Sequence, residues 1–221
     1  MSIVRVQDLC KNFRQGDTEI PVLRGLNFEV AAGETVAIVG QSGSGKSTLL
    51  SLLAGLDIPT QGSIHIRGQN IHTLSQADLT RFRGQSIGII FQQFHLMRSL
   101  TALENVTLPL DIAGQAQAET KAKEALERVG LGHRAHHLPT QLSGGECQRV
   151  AIARAFVVQP AILLADEPSG NLDTNTGDKV MNQLFDAVEE RGMTMILVTH
   201  DMQLAARCQR RLTLQQGQIV P

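Results

Sequence analysis

One octet constrains this chain more than any other feature: Gly40, Gln41, Ser42, Gly43, Ser44, Gly45, Lys46 and Ser47, in that order. It follows the short apolar run Thr35 to Val39, which reads as a buried strand, and it opens Lys46 to Ala54, which reads as a helix. The spacing is G-x-x-x-x-G-K-S/T. Glycines there let backbone N–H groups converge on phosphate oxygens without side-chain clashes. The helix that follows aims its N-terminus at the same anion. Lys46 brings a full positive charge to the β- and γ-phosphates of a nucleotide, and the Ser47 hydroxyl suits Mg²⁺. A plain strand-to-helix turn is the bland alternative. The strand before the loop and the helix after it are the context that phosphate binding requires.

A second run supports the first. Ile162-Leu163-Leu164-Ala165 is an apolar strand that ends in Asp166 and Glu167, followed by Pro168. A phosphate-loop fold needs an acid at a neighbouring strand end to hold Mg²⁺, and Asp166 suits that role. Glu167, one residue further, is placed to polarise an attacking water. The alternative is a pair of acids that merely ends a strand.

Around these motifs the pattern alternates. Ile3, Val4 and Val6 begin one strand, and Leu26, Phe28 and Val30 alternate in another, with a turn at Gln15-Gly16-Asp17 between them. A further turn is expected at Ala31 to Glu34, and further strands over Ser63–Ile66 and Ile87–Phe91, with a helix over Ser75–Arg83. From Thr101 to Val158 the pattern is helical, with Ala118, Ala122, Ala125, Leu126 and Val129 on one face. The last part returns to alternation: strand Ala161–Ala165, helix Thr176–Glu190, strand Thr194–Val198, a short helix from Met202 and a hairpin turning at Gly217. The expected fold is α/β: a phosphate-loop NTPase core with a mainly parallel sheet, antiparallel strands at the N-terminus and an inserted α-helical subdomain. The core would comprise residues 1–92 and 159–221, and the helical insertion residues 93–158.

Composition narrows the partners. Hydrophobic residues make up 42% of the 221, enough for a sizeable core, yet there are seven Phe and no Trp or Tyr, so that core rests on Leu, Ile, Val and Ala. Net charge is −1, without the basic excess of a nucleic-acid binder. Arg207, Arg210 and Arg211 cluster and read as a solvated helix end. Cys10, Cys147 and Cys208 are odd in number and widely spaced, which fits free thiols in a reducing cytosol rather than a disulfide framework. His133, His136 and His137 lie beside Gly132 and Pro139, as in an exposed loop rather than a zinc site. No signal peptide and no run approaching the ~20 apolar residues of a membrane span is visible, so the chain is expected to be soluble.

Leu142-Ser143-Gly144-Gly145-Glu146 precedes the helical run Val150 to Val158. Ser143 and Glu146 have capping-box spacing. A cap alone does not need two glycines, which weaken a first turn by roughly 1 kcal/mol each relative to Ala. Glycines at that place leave backbone N–H groups open to an anion.

This run resembles the signature of the ATP-binding-cassette (ABC) ATPases. With Gly40–Ser47, Ile162–Glu167, Gln92 after a strand and His200 after a strand, the family's set of motifs appears in order over essentially the whole chain. Pro168 to Asp173 and Thr199-His200-Asp201 look most similar to the subgroup of lipoprotein-releasing and macrolide-exporting ATPases. The resemblance implies ATP and Mg²⁺ as cofactors and hydrolysis of ATP. It implies a head-to-tail dimer with a second copy, in which Ser143, Gly144, Gly145 and Glu146 complete the site built by the opposite Gly40–Ser47 and Thr48. Gln92 would reach Mg²⁺ and the water and link the site to the helical lobe; Gln93 is the less favoured alternative. His200 would hold the γ-phosphate and the base in register, and Asp173 would lie on the dimer contact. Phe13 stands where the family places an aromatic, usually Tyr, that stacks on adenine; a packing role is the alternative. Cys147 stands where Gln is more usual, with no redox role inferred. Phe94, Leu96, Met97 and Leu100 either pack the junction of the lobes or receive a helix of a membrane subunit. The implied assembly is peripheral, at the cytoplasmic face of an inner membrane, on an integral permease and without nucleic acid. Other readings left open are a membrane-associated ATPase that signals or remodels, a soluble cassette acting on ribosomes or nucleic acid, and a phosphate-loop kinase.

Overall fold

The structure, a computed structural model, describes residues 1–16 and 18–220; Asp17 of the expected first turn lies outside the described residues. The chain forms two compact units, Met1–Thr80 with Met193–Pro221, and Arg81–Gly192.

In the first unit, β1 (Ser2–Gln15) and β2 (Thr18–Ala31) form a long antiparallel pair, extended by β4 (Gln61–Ile66) and β5 (Gln69–Asn70) in the order β2-β1-β4-β5. Val4 faces Val30 and Val6 faces Phe28 across the pair, and all four are buried while their neighbours are not. That alternation is the period of a half-buried strand. Both strands run further than their apolar alternation suggests, because Lys11 to Gln15 pair through the backbone with Leu23 to Thr18.

The same unit holds β3 (Thr35–Val39) between two parallel neighbours, β8 (Thr194–Val198) and β9 (Arg210–Gln215), with β10 (Gln218–Val220) antiparallel to β9. Every residue of β8 and four of the five in β3 are buried, as expected for a parallel sheet covered on both faces. After β3 comes α1 (Lys46–Leu53), which buries Leu49, Leu50, Leu52 and Leu53. A short helix, α7 (Met202–Ala206), follows β8.

The arginine cluster is not a solvated helix end. Arg207 caps α7, but Arg210 and Arg211 belong to β9. Arg210 Nε donates to Glu34 Oε1 at 2.6 Å, so a carboxylate from the turn before β3 draws it into the sheet.

Helix α2 (Gln76–Ser86) begins in the first unit and ends in the second, and the second unit carries β6 (Ile87–Ile90) and β7 (Ile162–Asp166) as a parallel pair. Its helices are α3 (Ala102–Ile112), α4 (Ala118–Arg128), α5 (Gly144–Phe156) and α6 (Thr174–Glu190). Leu103, Val106 and Leu110 of α3, Ala122 and Leu126 of α4, and Val150 and Ala153 of α5 share one core. The expected apolar face of α4 is therefore real, with Ala118, Ala125 and Val129 packed at its edge. Among the described residues no helix is long and apolar enough to cross a membrane.

Candidate active site

In the first unit, β3 and β8 run parallel with Ile38 opposite Val198. Gly40 and His200 each lie two residues beyond that pair, so the phosphate loop and the histidine leave the sheet side by side. Thr199 N donates to Ile38 O at 3.2 Å and fixes this exit. Ligands of parallel α/β sheets bind at such carboxyl ends.

The loop is shaped by its glycines and its lysine. Gly45 caps α1 with φ 103, and a Cβ there would stand 2.7 Å from Leu23 Cδ2. No other residue fits that conformation and that gap. Lys46 Nζ donates to Gly40 O at 2.8 Å and to Gln41 O at 2.9 Å, which curls the loop around the ammonium. Gly40 to Ser44 and Thr213 to Gln216 line a cavity of about 330 Å³. Ser44 is 7% exposed and its Oγ has no hydrogen-bond partner among the described residues. A buried hydroxyl without a partner is costly unless a ligand supplies one, so the loop fits a phosphate. Ser47 and Thr48 follow in the first turn of α1.

Phe13 lies on β1, 44% exposed, so it is not a core aromatic. Lys11, two residues back and therefore on the same side of the strand, holds its ammonium 5.0 Å from the ring centroid. That ammonium is anchored at 2.7 Å to both Asp57 Oδ1 and Ile58 O.

The second unit repeats the strand-end arrangement. Ile90 of β6 is opposite Ala165 of β7, so Gln92 and the pair Asp166–Glu167 emerge together. Asp166 ends β7 and Glu167 follows it with φ 45, in the left-handed region that non-glycine residues avoid. Such strain is kept where surrounding structure fixes it, often at functional sites. Strand β6 stops at Ile90, one residue short of expectation, and Gln92 is exposed.

At the start of α5, Ser143 and Glu146 form the capping box in full: Ser143 N donates to Glu146 Oε2 at 2.8 Å, and Glu146 N donates to Ser143 Oγ at 3.2 Å. The backbone bond from Ser143 holds the Glu146 carboxyl below its ordinary range, with Arg134 adding to it. The two glycines differ. Gly145 is buried, and a Cβ there would collide with Thr176 Cγ2, so packing alone demands it. Gly144 is exposed, and its Cβ would find only ordinary contact at 3.4 Å from Leu172 Cδ2. Asp173 is exposed and caps α6 by accepting from Thr176 N at 3.1 Å. Cys147 is 7% exposed, and burial pushes its thiol up, away from a reactive thiolate.

The apolar segment after Gln92 divides. Leu96 packs on the helical core, whereas Met97 is 51% exposed. The fully buried Asn105 fixes this segment: its Oδ1 accepts from Met97 N, and its Nδ2 donates to the carbonyls of Met97, Leu100 and Thr101. Sequence patterns pointed to neither Asn105 nor Arg154, and Asn171 stood only within the Pro168–Asp173 run, with no partner assigned to it. Arg154 donates to His95 O and Phe94 O, and Asn171 to Gln92 O. The Lys11–Phe13 contact was likewise not foreseen, although the spacing of two along a strand is a signal that could have found it.

Fold and loop together define a nucleotide-hydrolysing α/β protein of the phosphate-loop class. More narrowly, the chain belongs to the ABC transporter family, whose profile matches residues 23–170. It binds and hydrolyses ATP. It is 51% identical over 220 residues to YbbA of Escherichia coli strain K12, an uncharacterized ABC transporter ATP-binding protein, covering 99% of this chain and 96% of that one. It is 49% identical to the lipoprotein-releasing system ATP-binding protein LolD of Geobacter metallireducens, over 99% of this chain and 98% of LolD. The fold matches the dimeric post-hydrolysis structure of the cassette MJ0796 bound to ADP and Pi, with a TM-score of 0.92 and 41% identity over 99% of this chain and 97% of that one.

Proposed function

We propose that this chain is the ATP-hydrolysing subunit of a transporter, that it pairs head to tail with a second copy around two ATP molecules, and that closure of the pair drives a separate transmembrane permease. The observation that carries this reading is Gly144. It is exposed at the N-terminus of a capped thirteen-residue helix, and among the described residues of its own chain none requires a glycine there. A surface built for close approach of an anion accounts for it. The dimeric MJ0796 cassette, caught with ADP and Pi, supports the pairing.

In this reading the roles follow the likeness to the ABC family. Backbone N–H groups of Gly40 to Lys46 and the Lys46 ammonium hold the phosphates, with Phe13 against the base. Ser47, Gln92 and Asp166 are the residues to hold Mg²⁺, which when bound offsets charge on the β- and γ-phosphates. Glu167 accepts the proton of the attacking water, and His200 keeps the γ-phosphate in register with it. Ser143 to Glu146, on residues 93–158 taken as the signature-bearing lobe, close over the ATP of the other copy. Electrostatic positioning supplies most of the rate. In this reading the exposed Met97 meets the permease, and the assembly works at the cytoplasmic face of an inner membrane. The likeness to LolD supports the lipoprotein-releasing and macrolide-exporting subgroup.

Mixing tests the pairing. Purified Ser143→Arg and Lys46→Ala chains are each inactive, and a 1:1 mixture recovers measurable activity, at most about a quarter of wild type, because half the dimers are mixed and each holds one intact site. No recovery from two folded proteins that still dimerise sinks the head-to-tail reading. Glu167→Gln binds ATP and forms a stable dimer, with turnover reduced about 10²–10⁴-fold.

A further inference from the structure

Beyond Gln92 the backbone passes through two consecutive left-handed residues, Phe94 with φ 59 and His95 with φ 47. Neither is glycine, so the turn is strained and persists only where its surroundings hold it. Both carbonyls converge on one group. Arg154 of α5 donates from Nη1 to His95 O at 2.6 Å and from Nη2 to Phe94 O at 2.8 Å. On the other side the His95 ring meets Phe91 edge-on, with centroids 4.7 Å apart. A planar guanidinium can serve both carbonyls at once, which an ammonium on a flexible stem cannot do with the same geometry.

The same helix begins at Ser143, the residue proposed to meet the γ-phosphate of the opposite copy. Between Ser143 and Arg154 lie about three helical turns, roughly 16 Å of rigid rod. One end of α5 therefore meets the partner's ATP, and the other end grips the segment that carries Gln92, which serves the chain's own ATP. We infer that Arg154 is a positioning residue through which ATP at one site of the dimer sets Gln92 at the other. This rests on the head-to-tail reading above. It gives that reading a physical link between the two sites, made of one helix and two hydrogen bonds.

The test measures ATPase rate against ATP concentration for wild type, Arg154→Met, Arg154→Lys and Gln92→Ala. Wild type gives a Hill coefficient above one. Arg154→Met lowers kcat about tenfold, as expected for loss of charge-assisted bonds that position a catalytic group. It lowers the Hill coefficient below that of wild type without abolishing cooperativity, because closure of the pair still takes two ATP molecules, and leaves ATP affinity within about twofold of wild type. Arg154→Lys is intermediate and carries the test if the methionine variant does not fold. The double variant Arg154→Met/Gln92→Ala is no slower than Gln92→Ala, because both changes act on one element. Hydrogen exchange at residues 93–96 is faster in Arg154→Met. A cooperative wild type whose Arg154 variants stay equally cooperative, or Arg154 and Gln92 effects that multiply independently, overturns the Arg154 role and leaves the dimer reading intact. Failure of the Ser143→Arg and Lys46→Ala mixture removes the dimer reading, and the inference with it.

Discussion

The Asn171 side-chain amide donates to the backbone carbonyl of Gln92 at 2.8 Å. Two loops that leave adjacent parallel strands, one after β6 and one after β7, are thereby tied at their tips. Gly170 adds to the fit, since a Cβ there would come within 2.7 Å of Gln92 Nε2. The bond uses the backbone of Gln92 and leaves its Oε1 for other work.

Asn171→Ala should therefore act on turnover rather than on binding. One lost hydrogen bond is worth about 1 kcal/mol, so kcat falls roughly three- to tenfold while KM for ATP stays close to wild type. Steady-state ATPase measurements check this. An unchanged kcat would show that the tie has no part in placing Gln92.

The two signature glycines should separate cleanly. Gly145→Ala puts a methyl group into Thr176 and costs about 1–3 kcal/mol of stability, seen as a lower Tm. Gly144→Ala meets only ordinary van der Waals contact, so its Tm stays near wild type and the damage falls on ATPase activity. Equal loss of Tm in both would assign Gly144 to packing as well.

Phe13→Ala tests the base contact. Stacking of a base on an aromatic ring is worth about 1–2 kcal/mol, so ATP binds roughly five- to thirtyfold more weakly. Binding of inorganic tripolyphosphate, which has no base, is unchanged. Calorimetry with both ligands decides, and equal weakening of both would remove Phe13 from the adenine site.

Glu34 should show in the pH dependence of stability. The hydrogen bond from Arg210 holds its carboxyl below the ordinary value of 4.5, with a further bond from the Ala31 backbone. A carboxyl lowered in the folded state stabilises that state above its unfolded pKa, and the contribution fades as pH falls through the folded value. Glu34→Gln is thus less stable than wild type at pH 7 by about 1–2 kcal/mol. The gap narrows as pH drops below 4.5. Urea titrations across that range measure it, and a gap independent of pH would refute the assignment.

Much of this candidate site is legible in the sequence because its chemistry is local. The phosphate loop needs a strand, glycines, a lysine and a helix in one short stretch, and Asp166 with Glu167 ends an unbroken apolar strand. What stayed hidden depends on partners distant in sequence. Arg154 reaches back 60 residues to Phe94 and Asn171 reaches 79 to Gln92. No periodicity records such bonds. Arg210 and Arg211 misled for the same reason: arginines look alike on a solvated helix and on a strand, and it is the pairing with Val36 and Ala37, with Glu34 on Arg210, that puts them in the sheet. Gly145 shows the converse error, since the motif gave both glycines one purpose while Thr176 gives the second a packing role of its own.

The placement of β3 bears on how the chain becomes competent during synthesis. That strand ends at Val39, yet its hydrogen-bonded neighbours begin at Thr194 and Arg210. A nascent chain on the ribosome exposes the phosphate loop early but lacks both supports until nearly all of this sequence has been translated. Pairing across so long a separation is slow. Nucleotide can then stabilise only chains that have already closed the sheet. ATP thus acts late in maturation, as a selector of finished molecules over unfinished ones.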